Sequence, residues 1–238
     1  MPTIAFVSSK GGVGKTTSAL LVSTALAKLY DVTLIDADPN RPIQTWAAGG
    51  NAPPRLTIVS DADEDTIIDR IEDAAARTTF VIVDLEGTAS KTVVYAIAQA
   101  DFVVIPTQGS QLDANEASRA IRVVLQSQKL KKSIVPYAVL LTRTSLSIRT
   151  RSLAHIQKGM VEAGIPVLQT ELNERDAFKA VFSFQQTLDQ LNPAEVPNLD
   201  RAKSNVWELA YEILERLTSE QGAGPREEDS TTDMAGAA

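Results

Sequence analysis

The stretch Ser9-Lys10-Gly11-Gly12-Val13-Gly14-Lys15-Thr16-Thr17 leaves this chain few folds to choose from. It lies between a short apolar, β-branched run, Thr3 to Ser8, and a run from Thr17 to Leu29 whose apolar residues recur at helical spacing. Buried parallel strand, glycine turn and helix therefore follow one another in the order a phosphate-binding loop requires. Glycines let backbone N–H groups converge on phosphate oxygens, and the helix N-terminus adds its dipole. Lys15 supplies a mobile cation, and the Thr16 hydroxyl is placed to ligate Mg²⁺. Gly11, Gly12, Val13, Gly14, Lys15, Thr16 and Thr17 are the expected phosphate contacts. The expected architecture is α/β, a three-layer sandwich around a mostly parallel, doubly wound sheet.

Two later strands end in carboxylates. Asp31 to Asp36 reads as a strand running into Ala37-Asp38-Pro39-Asn40, where proline imposes an extended or turning backbone. Phe80 to Asp84 is an apolar run followed by Leu85-Glu86-Gly87. In open α/β sheets ligands gather at the carboxyl ends of strands, so Asp36, Asp38 and Asp84 face the bound phosphates. Asp84 suits Mg²⁺ held through water, and Gly87 could bring its N–H to a terminal phosphate and sense its loss. Glu86 could assist as a base, and a solvent or partner contact is the favoured assignment.

The loop departs from the general phosphate-loop pattern in having Ser9 in place of a glycine and a second lysine, Lys10, before the glycine pair. The form Lys-Gly-Gly-x-Gly-Lys-Thr-Thr closely resembles the deviant motif of the ParA/MinD ATPase family, and the resemblance extends from about Thr3 to Leu217. It implies that Lys10 crosses a dimer interface to the partner's nucleotide and that Asp38 orients the attacking water or takes its proton. Asp36 then supports the Mg²⁺ side, and Asp38, Pro39, Asn40 and Gly87 form the switch. The segment Thr107 to Asp113 resembles the family's loop before a long helix near the dimer contact. Glu174 to Lys179 resembles a segment that in ParA relatives adjoins the base pocket and the DNA-binding face. Some close look-alikes accompany conjugal or transfer-DNA processing. Thr142 and Arg143, at the end of the strand expected from Val135 to Thr142, are assigned to the nucleotide. A GTPase would show Asn-Lys-x-Asp at this point, and Thr142-Arg143-Thr144-Ser145 lacks the guanine-pairing carboxylate, so ATP is the expected nucleotide.

A chain of 238 residues with 44% hydrophobic content can bury a full core as one domain, here expected over residues 1–217. The absence of cysteine fits a reducing cytoplasm and excludes the cluster-bearing iron protein of nitrogenase, which has a similar loop. With a strand from Thr3 and no apolar run near about twenty residues, neither a signal peptide nor a membrane span is expected.

The net charge is −7, yet Arg119 to Val161 contains no Asp or Glu and carries +9, leaving −16 elsewhere. Such asymmetry suits a polyanion bound at one face. Arg149, Arg151, Lys158, Arg175, Lys179 and Lys203 are the expected DNA contacts. Further helices are expected at Arg41 to Ala48, Asp61 to Ala76, Ala89 to Ala98, Ala114 to Leu130, Ser147 to Ala163 and Asp200 to Leu217. Further strands are expected at Leu56 to Val59, Asp101 to Pro106, Val135 to Thr142 and Ile165 to Thr170. Thr218 to Ala238, with five acids and one arginine, reads as a disordered acidic tail that an anionic bilayer would repel.

The resemblance implies an ATP- and Mg²⁺-dependent homodimer of the short ParA type. It would bind double-stranded DNA non-specifically, associate with the nucleoid when ATP-bound, and hydrolyse ATP slowly until a ParB-like or cargo adaptor stimulates it. No cis arginine finger is identifiable. The cargo could be plasmid DNA, a conjugal or transfer-DNA complex, or a protein cluster. A MinD-like membrane ATPase and a metabolic ligase are the other classes the fold admits. A tyrosine kinase does not fit, because Tyr30, Tyr95, Tyr137 and Tyr211 form no terminal cluster.

Overall fold

The computed structural model describes residues 1–87, 90–131, 133–145 and 151–222. Seven strands make one wholly parallel sheet: β1 (Thr3–Phe6), β2 (Val32–Ala37), β3 (Leu56–Val59), β4 (Phe80–Leu85), β5 (Phe102–Thr107), β6 (Tyr137–Thr144) and β7 (Leu172–Asn173). Their spatial order is β3-β2-β4-β1-β5-β6-β7. The chain leaves β1 toward β2 on one side and later returns to β5 on the other, so the loop after β1 opens at the switch point where α/β sheets bind ligands. β1, β2, β4 and β5 are buried throughout, which is why they read as continuous apolar runs rather than alternating ones.

Helices cover both faces. α1 (Lys15–Leu26), α2 (Pro42–Ala47), α7 (Asp176–Ser183) and α8 (Leu199–Gly222) pack on one face around Phe6, Trp46, Ile82 and Phe102. α3 (Ile67–Arg77), α4 (Lys91–Gln99), α5 (Gln111–Lys131) and α6 (Arg151–Glu162) pack on the other around Ile35, Val83, Val103 and Val139. The amphipathic stripe of α8 is buried as its spacing predicts, with Leu209, Ala210 and Ile213 at 0% exposure.

Several boundaries differ from expectation. α3 begins at Ile67 rather than Asp61, because the Asp63 carboxylate accepts the N–H groups of Asp65 and Thr66 and closes a turn first. The last strand is the short β7, not Ile165 to Thr170. Among the described residues that earlier segment joins β6 at a single bridge, Val167 with Val139, where the Pro166 carbonyl accepts from Val139 N–H (2.8 Å) and Leu168 N–H donates to the Val139 carbonyl (2.9 Å), and Pro166 has no N–H with which to extend the ladder backward. α7 had no counterpart among the expected helices. α8 runs to Gly222, five residues past Leu217, and the rest of the expected tail lies outside the described residues. Among the described residues, no helix is long and apolar enough to cross a membrane.

Candidate nucleotide site

The glycine loop has the backbone its composition predicts. Gly12 and Gly14 take φ of 79° and 91°, in the left-handed region that side chains disfavour, and Gly14 sits directly before α1. The loop is fastened from several directions. Thr142 at the end of β6 donates its hydroxyl toward the carbonyls of Val13 (2.6 Å) and Thr107 (3.1 Å). The Gln108 side-chain amide donates to Gly12 O (3.0 Å). Ser9, the departure from the general pattern, directs its hydroxyl at Glu116 in α5, 2.6 Å from the carbonyl and 2.9 Å from Oε2. Gly87 packs against the loop, where an added Cβ would stand 3.5 Å from Gly11 N. That is ordinary van der Waals contact, so the structure brings the Gly87 backbone up to the loop without itself excluding a side chain there.

Beneath the loop lies a cluster of charge. Lys15, only 7% exposed, places Nζ 2.7 Å from Asp84 Oδ1 and 3.9 Å from Asp38 Oδ2. Asp84 is fully buried, and burial lifts its carboxyl above the usual carboxylate range against the opposing pull of Lys15 and a hydrogen bond from Thr16. Asp36 stands beside it on the neighbouring strand, in register with Asp84. Its Oδ2 accepts the N–H groups of Ile43 (2.9 Å) and Gln44 (3.0 Å), anchoring the start of α2. Burial lifts the Asp36 carboxyl as well, partly offset by these N–H bonds.

Asp36 Oδ1 and Asp84 Oδ2 are buried without a hydrogen-bond partner. Two orphaned carboxylate oxygens beside the Thr16 hydroxyl fit a hard divalent cation that takes its remaining ligands from phosphate and water. Among the described residues no group of three or more acidic, His or Cys side chains could hold a metal alone, so any metal here depends on such outside ligands.

Asp38 uses Oδ1 to close a turn with the Asn40 N–H (2.9 Å) and side-chain amide (3.0 Å), leaving Oδ2 toward Lys15. Pro39, Asn40 and Lys10 are exposed at the rim.

On the opposite flank, a cavity of about 290 Å³ opens beside Gly14 and Thr17, walled by Thr142, Arg143, Phe178 and Lys179 among others. Its position next to α1 and its apolar wall suit a flat base joined to phosphates in the loop. Arg175 also lines it, and burial lowers its guanidinium pKa, with nearby Arg201 adding to the shift.

The expected DNA contacts are not brought together. Arg151 and Lys158 lie on α6, whereas Arg175, Lys179 and Lys203 lie on or beside α7 and α8, across the sheet. Lys179 is paired with Glu174 (3.2 Å) and Asp176 (3.5 Å), and Lys203 with Asp189 (3.3 Å). Arg149 lies outside the described residues. A list in sequence order says nothing about which layer each helix joins. Sequence reasoning also missed Glu116 and Gln108 as loop supports, because those contacts span about a hundred residues and leave no local pattern. Phe178 stood within a quoted family segment and could have been singled out as a base-stacking aromatic.

The sheet order, the loop at its switch point and the carboxylates beneath it define a phosphate-loop nucleotide-binding protein of the ParA/MinD type. A model of the VirC1 protein family matches residues 1–217. The chain is 35% identical over 219 residues to Protein ParA of Rhizobium radiobacter, covering 92% of this chain and 98% of that protein. It is 33% identical over 189 residues to virC1 of Rhizobium rhizogenes, covering 76% and 80% respectively. Among solved structures, apo McdA from Cyanothece matches with a TM-score of 0.71 at 19% identity, covering 89% of this chain and 99% of that one. A plasmid partition protein of Borrelia burgdorferi bound to AMPPNP gives 0.67 at 16%, covering 90% and 99%. The chain belongs to the VirC1 family, within the ParA-type partition ATPases.

Proposed function

We propose that the protein is an ATP-driven switch in which bound ATP and Mg²⁺ join two protomers face to face and each Lys10 completes the partner's site. The observation that carries this reading is Lys15, buried between Asp84 and Asp38 at the mouth of the glycine loop. An incoming triphosphate offers that cation a better anion and releases the carboxylates for metal and water. Thr16 would hold Mg²⁺ directly, with Asp84 and Asp36 acting through water. Mg²⁺ held there would offset charge on the phosphates, and the protein's own groups position the attack. Asp38 Oδ2 faces the site, placed to take the proton of a water that attacks the terminal phosphorus as the β–γ bridging bond breaks and ADP leaves.

Dimerisation brings two cation-rich surfaces together on one polyanion. A protomer making about four phosphate contacts gives a log–log salt slope of about −3.6, and the dimer about twice that. Non-specific double-stranded DNA is the proposed ligand, with the acid-free segment of α5 and α6 as its surface, and the ATP form accompanies the nucleoid. A ParB-like or cargo adaptor accelerates hydrolysis and releases the DNA. Plasmid partition and recruitment of a transfer-DNA complex use the same switch, and the match to the VirC1 family favours keeping the second beside the first.

DNA co-sedimentation with ATP, ADP and no nucleotide tests this reading. Asp38→Ala should bind ATP and remain on DNA as a trapped dimer. Rapid hydrolysis in that variant would remove Asp38 from the mechanism, and nucleotide-independent sedimentation would refute the switch.

A further inference from the structure

The turn that follows Asp38 contains a residue whose backbone does not suit it. Arg41 takes φ 47° and ψ 52°, the left-handed region, and it directly precedes Pro42, a position where helical conformations are disfavoured. Glycine would meet the same geometry without strain. Its N–H donates to the Asp38 carbonyl at 2.8 Å, so the turn carrying the water-orienting carboxylate closes on Arg41. Arg41 is the only cation between Val32 and Ala47, and it is exposed.

Charge sharpens the point. Lys15 at this mouth has two carboxylates, and many other cations of this acidic chain are paired, including Lys28, Arg70, Lys91, Arg119 and Lys203. Arg41 has no ion-pair partner among the described residues. Arg143, on the far flank of the loop, repeats the pattern with φ 51°, so two left-handed arginines bracket the glycine loop. Strained backbone persists where the surrounding structure over-determines it, typically at ligand clamps and active sites. A guanidinium carried on the turn next to a phosphate loop is within reach of phosphoryl oxygens, to which it is matched in shape and charge.

We propose that Arg41 is a catalytic residue whose guanidinium contacts the terminal phosphate of the bound triphosphate and stabilises the charge that develops as that group is transferred to water. This rests on the switch reading above. The step stays balanced: water oxygen bonds to the terminal phosphorus, the β–γ bridging bond breaks with its electron pair leaving on ADP, Asp38 takes the water proton, and Arg41 remains protonated. The phosphate belongs to the same protomer's nucleotide or to the partner's, and the two are separable.

The test is single-turnover ATP hydrolysis by Arg41→Gly and Arg41→Lys, with ATP affinity and thermal melting measured alongside. Arg41→Gly relaxes the backbone, so it should melt no lower than wild type and bind ATP within a few-fold, while hydrolysis falls on the order of 100-fold. Arg41→Lys should recover only part of the rate, because an ammonium cannot reproduce the bidentate contact. Wild-type hydrolysis in Arg41→Gly would overturn the proposal. A wild-type protein that bound ATP without ever hydrolysing it would refute the switch reading itself. Mixing Arg41→Gly with Asp38→Ala assigns the source: recovered turnover means the arginine serves the partner's nucleotide, and no recovery means it serves its own.

Discussion

On the β2–β4 flank of the glycine loop, Asp36 and Asp84 are 1% and 0% exposed and each keeps one oxygen without a partner, whereas the β6–α7 flank opens a cavity of about 290 Å³ beside Thr142, Arg143 and Phe178. One flank concentrates charge in little space, and the other offers space walled largely by apolar atoms. Burying carboxylates with raised pKa values works against stability, so their presence in neighbouring register calls for a ligand that repays it. An aromatic-walled cavity has no such electrostatic penalty and selects by shape. In the proposed reading, the Lys15 loop between them joins a pole for metal and phosphate to a pole for the base.

The comparison breaks most readily at the charged pole. Lys15→Ala should lower ATP affinity about 100-fold or more, since a buried charge-assisted contact is lost, and should abolish nucleotide-dependent dimerisation. Isothermal titration checks this, and unchanged affinity would contradict the cradle. At the other pole, Phe178→Ala should weaken ATP binding about tenfold through lost stacking area while the Mg²⁺ dependence of binding stays as in wild type. A changed metal dependence would mean the two flanks are not separate.

A smaller effect is expected where the flanks meet. Thr142→Val removes the hydroxyl that ties Val13 and Thr107 together and should lower stability by about 1–2 kcal/mol, read by denaturant melts. The subtlest test concerns Asp36→Asn, which removes a buried charge and should raise stability by about 1 kcal/mol at neutral pH. The folded-state pKa of Asp36 is raised, so protonation favours the folded form, and wild type regains this stability as pH falls through that raised value. The advantage of Asp36→Asn should therefore shrink on acidification, and an advantage that grew would reverse the assigned sign.

The parts of this molecule that could be read from the sequence are those whose chemistry is contiguous. The glycine loop, the strands ending in Asp36 and Asp84 and the stripe of α8 each declare themselves within a few residues. What could not be read depends on the sheet as a whole. α6 and α7 leave β6 and β7 for opposite faces, so cations close in sequence part company. Ser9 meets Glu116, and Thr142 meets Val13, only because β5 lies beside β1 and β6 beside β5. α7 escaped notice because it has only eight residues, two turns in which the buried face of Ala177, Phe178, Ala180 and Val181 is too short to stand out as a periodic stripe. Arg41 was invisible for another reason: a strained dihedral has no signature in composition, and arginine at a loop looks ordinary until its φ is known.

The central claim is that the terminal phosphate joins two copies of this chain. Light scattering of the full-length protein with Mg²⁺ and a non-hydrolysable triphosphate should give twice the protomer mass, with the diphosphate giving the protomer mass alone. The same mass with both nucleotides would contradict it.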